Sequence, residues 1–266
     1  MPIATRHLFS CWNHVAERVR RAPAVALFLD FDGTLSPLCS RPEDVHLSGI
    51  TRKVVATLAR KPGVRVWVIS GRRRADVRDR SRIDGVHYLG LHGWEGRQEL
   101  SIQKETCRQL DGLKARARQI VQSSPAIWLE DKGVVATIHH ANASASEIAS
   151  VRREMGRVLQ PLNGRFRGIA GERSFEVMPA EMGDKGTAVR HELAMAGRAA
   201  LPVFVGDDAV DEPAFAALTG GITIRVGRPC HTRAHFRLAD VKQVRIFLER
   251  LNREIEGKSA GGRGFG

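Results

Sequence analysis

Acidic and small polar residues lie at the ends of three short apolar runs in this chain. The runs VALFLD, VRVWVI and LPVFVG each end in such residues or are followed directly by them. In chain order these residues are Asp30, Asp32, Gly33, Thr34, Ser70, Gly71, Asp207 and Asp208. Converging carboxylates repel one another unless a cation lies among them, and oxygen ligands of this kind suit Mg²⁺. The pattern therefore predicts a Mg²⁺ site that brings a phosphate and an acid together.

Asp30 and Asp32 suit two different steps of phosphoryl transfer. A carboxylate can attack phosphorus and form an aspartyl-phosphate, and a second acid can protonate the leaving oxygen and then deprotonate water. Gly33 allows the backbone to turn sharply after these acids. The hydroxyls of Thr34 and Ser70 can donate hydrogen bonds to phosphate oxygens. The segment 30–34 therefore combines reacting groups with groups that bind phosphate.

Alternation of short apolar runs with helical patterns indicates an α/β fold with a Rossmann-like parallel sheet covered by helices. The predicted strands are 25–30, 64–69, 87–91, 201–206 and 222–226, and the predicted helices are 51–60, 72–80, 185–196, 209–217 and 240–255. Ligands of such sheets bind beyond the carboxyl ends of the strands, where the acids are placed. Lys185 begins one of these helices, and its ammonium can offset charge on a transferred phosphoryl group.

The middle of the chain has a different pattern, which predicts an inserted α+β domain over 98–178. A helix at 103–122 precedes strands 126–130 and 134–139, and a helix at 144–159 precedes strands 165–169 and 173–178. The α/β core then consists of 22–97 and 179–256. An amphipathic N-terminal helix is predicted within 1–21, with Leu8, Trp12, Val15 and Val19 on one stripe. A disordered tail is predicted over 257–266.

Four motifs of this sequence resemble, in order, those of the haloacid dehalogenase superfamily of phosphatases. They are DFDGTL at 30–35, Ser70 in VISGR, Lys185 in GDKGTAV and GDDAVDE at 206–212. The resemblance implies that Asp30 is the nucleophile and Asp32 the general acid/base, while Ser70 and Lys185 hold the phosphate. It further implies Mg²⁺ bound by Asp30, by the backbone carbonyl of Asp32 and by Asp207, with Asp208 close by or acting through water.

Further motifs are similar to those of trehalose-6-phosphate phosphatases. They are GLHGWE at 90–95, EDKG at 130–133, FEVMP at 175–179 and the whole of GDDAVDE. In that family the insert is a cap that closes over the core and holds the sugar, and its sugar-contacting positions correspond to Glu130, Lys132 and Glu176. The resemblance thus implies hydrolysis of trehalose 6-phosphate to trehalose and phosphate. The same three residues could also be ordinary charges of hairpins.

Several other polar residues have more than one interpretation. Asp211 and Glu212 either orient the metal-binding acids or cap the helix at 209–217. His92 is either structural or directed at substrate. Arg72 could reach substrate, although a solvated helix face is favoured. His139 and His140 are adjacent, so on a strand they face opposite sides, and both are interpreted as structural.

The charge of the chain raises the question of a nucleic-acid partner. The 42 Lys and Arg outnumber the 29 Asp and Glu and give a net charge of +13. These residues are spread along the whole chain, and the dense stretch GRRRADVRDRSR contains no aromatic side chain. A nucleic-acid-binding protein on an inactive phosphatase scaffold therefore remains the less favoured function. A phosphatase acting on another sugar phosphate, such as sucrose or hexose phosphate, is the nearer alternative.

Cysteine content and hydropathy bear on the compartment. Cys11, Cys39, Cys107 and Cys230 are scattered without metal-ligand spacing, which favours reduced thiols. No apolar run approaches the ~20 residues of a membrane helix, and the first residues lack the pattern of a secretory signal. We therefore expect a cytoplasmic monomer that acts on a small sugar phosphate and has no membrane partner.

Overall fold

The computed structural model describes residues 5–39, 41–96, 102–162, 164–171, 173–197 and 199–261, with side chains up to 257. The chain divides into two units, one formed by Met1–Gly96 with Asp184–Gly266 and the other by Arg97–Gly183. The strands are β1 (Arg6–His7), β2 (Ala24–Asp30), β3 (Val64–Ile69), β4 (His87–Leu89), β5 (Trp128–Asp131), β6 (Ala136–His139), β7 (Phe166–Ala170), β8 (Ser174–Pro179), β9 (Ala200–Gly206), β10 (Ile222–Val226) and β11 (Phe236–Leu238). The helices are α1 (Trp12–Arg21), α2 (Gly49–Ala59), α3 (Arg74–Ser81), α4 (Lys104–Val121), α5 (Ala145–Leu159), α6 (Lys185–Ala196), α7 (Glu212–Ala217) and α8 (Val241–Gly261).

The first unit, here called the core, contains a parallel sheet in the order β1-β11-β10-β9-β2-β3-β4. β2 is central, and its residues from Val25 to Asp30 are all buried because both faces of the strand are covered. From β2 the chain passes to β3 and β4 on one side and later returns to β9 on the other. The strand order therefore reverses beside β2, and a crevice at this point is where doubly wound sheets bind ligands.

The N-terminal segment differs from the predicted single helix. Arg6 and His7 form the edge strand β1, which pairs with β11, and neither of these short strands was predicted. A 3₁₀ turn at Leu8–Cys11 then leads into α1. The predicted apolar stripe is confirmed, because Leu8, Val15 and Val19 are buried and the Trp12 ring packs edge-on against Phe247 of α8.

Two predicted boundaries are wrong. The strand predicted over 87–91 ends at Leu89, because Leu91 and His92 adopt positive φ values of 47° and 59° that a strand does not accommodate. The tail predicted as disordered from 257 is helical as far as Gly261, since α8 continues through Gly257 without a left-handed residue to end it. Residues 262–266 of that tail lie outside the described part. Asp240 does cap α8, accepting a hydrogen bond from the Gln243 amide at 2.9 Å.

The second unit, here called the cap domain, is an antiparallel sheet in the order β5-β6-β8-β7 with α4 and α5. Apolar residues of both helices, such as Leu113 and Met155, form a buried cluster with strand residues that include Ile138 and Val177. The register pairs Glu130 with Thr137 and Thr137 with Glu176, which places these three residues in one row across the sheet. Neighbouring residues of the same strands, such as Ile138 and Val177, belong to the buried cluster. Successive strand residues point to opposite faces, so this polar row lies on the face away from the apolar core.

In the ranges that the structure describes, no helix combines the length and the hydropathy needed to cross a lipid bilayer.

Candidate active site

The turn after β2 brings the first acidic motif against the last one. The Gly33 amide donates to the Ser36 carbonyl at 2.7 Å, and Gly33 has a φ of +79°. A Cβ atom at this position would lie 2.0 Å from the Oδ2 atom of Asp207. Only glycine permits both this backbone conformation and the approach of Asp207. The turn therefore places Asp207 beside the end of β2.

Asp30, Asp207 and Asp211 form a carboxylate cluster at the carboxyl edge of the sheet. One oxygen from each lies within 4.8 Å of the others. Burial raises the pKa of Asp30 to about 7, with Lys185 lowering it and Asp211 raising it further. Burial and the charges of Asp30 and Asp211 also raise the pKa of Asp207 well above its usual value. The arrangement thus disfavours three ionised carboxylates at once.

Lys185 is the cation within this cluster. Its Nζ atom donates to Asp30 Oδ1 and to Asp211 Oδ1, both at 2.6 Å, and its side chain is almost wholly buried. Burial by itself lowers the pKa of Lys185, but the two carboxylates outweigh burial and raise it above the usual value. Asp184 caps α6 by accepting from the Thr187 amide at 2.8 Å, and so fixes the start of the helix from which Lys185 projects.

The cluster fits a divalent cation. Three carboxylates face one ammonium, which leaves an excess of two negative charges when all of the carboxylates are ionised. Oxygen ligands at close range and an excess of negative charge are features that hard cations such as Mg²⁺ require. The residues present therefore match the chemistry of such an ion.

The acids of this cluster differ from the predicted set. Asp208 was expected close to the metal or acting through water, and its charge does act on Asp207, but it is Asp211 that the structure groups with Asp30 and Asp207. Asp208 accepts from the Ala209 amide at 2.6 Å and therefore acts as a local cap. Asp211 is fully buried, with Oδ1 bonded to Lys185 and Oδ2 accepting from the Asp208 amide at 3.0 Å. Asp211 therefore has both of the roles considered above: it supports the cluster and it acts as a cap.

Glu212 has a separate set of contacts. Its carboxylate accepts from the Thr232 hydroxyl at 2.6 Å and from the Arg233 amide at 2.8 Å. These bonds tie the start of α7 to the loop before β11, so Glu212 has a structural contact away from the cluster.

Arg72 contacts Asp32, contrary to the favoured interpretation of a solvated helix face. Its Nε and Nη2 atoms donate to the two oxygens of Asp32, each at 2.8 Å. The same guanidinium donates to Asp76 and to the Pro42 carbonyl, both at 2.8 Å. Burial lowers the pKa of Arg72, but the bonds to Asp32 and Asp76 more than compensate and raise it. Arg72 precedes α3 rather than lying within it, so the helical periodicity used for the prediction does not apply.

The predicted phosphate-binding residues lie at the same edge. Ser70 follows β3 and is buried, and its hydroxyl accepts from the Arg72 amide at 3.1 Å across Gly71. The Thr34 hydroxyl donates to Asp207 Oδ1 at 3.2 Å, a contact that orients the acid. To donate to a phosphate oxygen, as predicted, the Thr34 hydroxyl would have to give up its bond to Asp207. His92 is buried beside Ser70, with its amide donating to the Ser70 carbonyl at 2.9 Å.

In the cap domain, the three predicted sugar-binding residues lie together. Lys132 Nζ lies 3.0 Å from Glu176 Oε1 and 3.9 Å from Glu130 Oε2. The Thr137 hydroxyl donates to the same Glu176 oxygen at 2.9 Å. Lys114 of α4 donates to the Gly133 carbonyl and so anchors the turn that carries Lys132. The row is therefore ordered by its own polar contacts and by α4.

His139 belongs to this polar row, although it was interpreted as structural. Its Nε2 atom lies 2.8 Å from Glu130 Oε2, and its ring stacks on Trp128. His140 points the other way and is buried. Burial, followed by the charge of Arg152, lowers the pKa of His140. The expectation that adjacent histidines face opposite sides is confirmed, but only His140 has the structural role.

The parallel sheet, the inserted cap domain and the acid cluster at the strand ends define a haloacid dehalogenase-like fold. A haloacid dehalogenase-like hydrolase from Bacteroides thetaiotaomicron superposes with a TM-score of 0.60 at 16% identity, over 86% of this chain and 99% of that one. Residues 28–241 match the model of the trehalose-phosphatase family. The chain belongs to the trehalose-phosphatase family.

Individual relatives agree with this assignment. The C-terminal domain of trehalose-6-phosphate phosphatase from Candida albicans has a TM-score of 0.84 at 19% identity, covering 94% of this chain and 99% of that one. The trehalose-phosphate phosphatase of Mycobacterium avium is 32% identical over 89% of this chain and 63% of its own length. A protein named as a glycosyl hydrolase in Mycobacterium tuberculosis is 34% identical over 89% of this chain but only 19% of its own length. The chain thus spans less than two thirds of these two mycobacterial relatives.

Proposed function

We propose that this protein is a Mg²⁺-dependent phosphatase that hydrolyses trehalose 6-phosphate to trehalose and phosphate through an aspartyl-phosphate. The observation that carries the proposal is the buried cluster of Asp30, Asp207, Asp211 and Lys185 in a chain of the trehalose-phosphatase family. The cluster combines a nucleophilic carboxylate, ligands for a hard cation and an ammonium in contact with the nucleophile.

In the first step, an oxygen of Asp30 attacks the phosphorus atom. The bond between phosphorus and the sugar oxygen breaks, and Asp32 gives its proton to that departing oxygen. Lys185, which contacts Asp30 in this structure, offsets the negative charge of the phosphoryl oxygens during transfer. The products of this step are the free sugar and the aspartyl-phosphate.

In the second step, Asp32 accepts a proton from a water molecule whose oxygen attacks the phosphorus. The bond between phosphorus and Asp30 breaks, which releases phosphate and restores both acids. Asp32 has to change partners to move protons, because Arg72 occupies both of its oxygens here. Until then the two bonds from Arg72 fix the plane of the Asp32 carboxylate.

Asp30 and Asp207, together with the backbone carbonyl of Asp32, would hold the Mg²⁺ ion, which supplies Lewis-acid stabilisation of charge on phosphate. Asp211 suits a supporting role, because both of its oxygens already accept hydrogen bonds. Ser70, Gly71, Gly33 and Thr34 supply the surroundings of the phosphate. Glu130, Lys132 and Glu176 supply hydrogen bonds to sugar hydroxyls.

A panel of sugar phosphates tests this function directly. Phosphate release is measured for trehalose 6-phosphate, sucrose 6-phosphate, glucose 6-phosphate and mannose 6-phosphate, with Mg²⁺ and with a chelator. We expect Mg²⁺-dependent release with the highest kcat/KM for trehalose 6-phosphate. A higher kcat/KM for another sugar phosphate would replace the proposed substrate, and release that is unaffected by the chelator would contradict the metal requirement.

A further inference from the structure

Trp128 is an exposed aromatic residue on the polar face of the cap domain. Of the large apolar side chains that the described residues expose, it is the aromatic one, with 43% of its surface accessible. It lies two residues before Glu130 on β5, so both side chains point to the same face of the sheet. The indole therefore presents a flat apolar surface next to charged groups that can form hydrogen bonds to a ligand.

The indole is held in a defined orientation. Trp128 is the cross-strand partner of His139, and the two rings stack with centroids 4.0 Å apart and planes 17° apart. His139 in turn lies within 2.8 Å of Glu130. The chain Glu130–His139–Trp128 therefore couples the position of the indole to that of a carboxylate in the proposed sugar site. Because the indole is already held in place, less side-chain conformational entropy is lost when a ligand binds.

Aromatic rings and carboxylates recognise different parts of a sugar. The C–H bonds on one face of a pyranose carry partial positive charge and pack against the negative face of an aromatic ring. The hydroxyls at the rim of the same ring donate hydrogen bonds to carboxylates and accept from an ammonium. Trp128 supplies the first kind of contact, while Glu130, Glu176 and Lys132 supply the second.

Resting on the proposed function, we propose that Trp128, backed by His139, is the stacking surface for a pyranose ring of the substrate and a determinant of its specificity. The contact binds the sugar rather than the phosphate. It therefore contributes to affinity for the disaccharide phosphate and leaves the chemistry at Asp30 unchanged.

The test compares wild type with Trp128→Ala and Trp128→Phe. For Trp128→Ala we expect KM for trehalose 6-phosphate to rise on the order of tenfold, the upper range of a stacking contact, with kcat within a factor of about two. Trp128→Phe retains a ring and should recover most of the affinity. The inhibition constant of inorganic phosphate should be the same in all three proteins. Met195→Ala removes another exposed apolar side chain, in α6 of the core, and should match wild type.

A binding measurement separates affinity from turnover. Asp30→Asn and Asp30→Asn/Trp128→Ala are titrated with trehalose 6-phosphate by calorimetry, and the double variant should bind about tenfold more weakly. Equal dissociation constants, or a Trp128→Ala that weakens phosphate inhibition as much as it raises KM, would overturn the stacking role. A wild type that does not turn over trehalose 6-phosphate would instead overturn the proposed function, and the stacking role with it. Circular dichroism establishes that each variant is folded.

Discussion

Arg72 holds both carboxylate oxygens of Asp32 in a bidentate ion pair, with Nε and Nη2 each 2.8 Å from an oxygen. Paired contacts of this geometry are among the stronger hydrogen bonds in proteins and fix the plane of the carboxylate. The side chain of Arg72 is 11% exposed and that of Asp32 is 30% exposed, so solvent screens the pair only in part. The position of the proposed proton carrier is therefore set by a residue outside the acid cluster.

Replacing Arg72 tests this relationship. We expect Arg72→Ala to lower kcat about 10- to 100-fold, because a general acid/base contributes roughly 10²- to 10⁴-fold only when it is positioned. Arg80→Ala is the matched control, since Arg80 also pairs with Asp76, at 2.7 Å, but does not contact Asp32. Steady-state kinetics with trehalose 6-phosphate measure both variants. A kcat for Arg72→Ala equal to that of Arg80→Ala would contradict the positioning role.

Substitutions of Asp30 and Asp32 should block different steps of the reaction. Asp30→Asn removes the nucleophile and should lower kcat by at least about 10⁴-fold, as expected for covalent catalysis. Asp32→Asn keeps the nucleophile and should accumulate the aspartyl-phosphate with a reactive substrate, because activation of water is lost. Intact-protein mass spectrometry after acid quench detects the added phosphoryl group. A phosphorylated Asp30→Asn protein would assign the nucleophile elsewhere.

Removal of metal should change stability in a way that identifies the ligands. A ligand that binds only the folded state at a hundred times its Kd stabilises it by about 2.7 kcal/mol, so Mg²⁺ should raise the Tm of the wild type. Asp207→Asn should abolish that rise and have a higher Tm than the metal-free wild type, because one of three crowded carboxylates is gone. Asp208→Asn should retain the rise. Calorimetric scans with Mg²⁺ and with a chelator measure the wild type and both variants. If Asp208→Asn alone lost the rise, Asp208 rather than Asp207 would be the metal ligand.

The start of α5 predicts a pH dependence of stability. Bonds from Ser124 and Ser144 lower the pKa of Glu147 to about 2, against 4.5 in the absence of these contacts. A lowered pKa means that the charged form stabilises the folded state above pH 4.5 and that this contribution is lost as the pH falls toward 2. Glu147→Gln should therefore have a lower Tm than wild type at pH 7, and the difference should narrow by pH 3.5. A constant difference across this range would show that charge is not involved.

Much of the core follows from local sequence. The runs that form β2, β3 and β9 are mostly apolar because both faces of the sheet are covered, with Arg65 of β3 as an exposed exception, and parallel strands align their carboxyl ends. This rule alone brings Asp30, Ser70 and Asp207 to one edge. The hairpins of the cap domain were also predicted, the first of them from the turn at Gly133.

Other features depend on contacts that no local pattern encodes. β1 and β11 have two and three residues, too few for a periodic signal, and exist because they pair with each other at the sheet edge. The contact of Arg72 with Asp32 spans 40 positions and depends on how the loop before α3 folds. The role of Asp211 was ambiguous because its carboxylate accepts hydrogen bonds from both Lys185 and the Asp208 amide. The stack of Trp128 on His139 requires the register of β5 and β6, which the sequence suggests but does not define.

Because β2 lies in the middle of the sheet, its two neighbouring strands become available at different stages of synthesis. Ala24 pairs with Ala200, so the strand that carries Asp30 gains one of its two neighbours only after the entire cap domain has been synthesised. Asp207 and Lys185 come from the same late part of the chain. A nascent chain that ends before β9 therefore contains Asp30 and Lys185 but lacks Asp207 and Asp211, and the acid cluster can form only after β9 and the residues that follow it have been added.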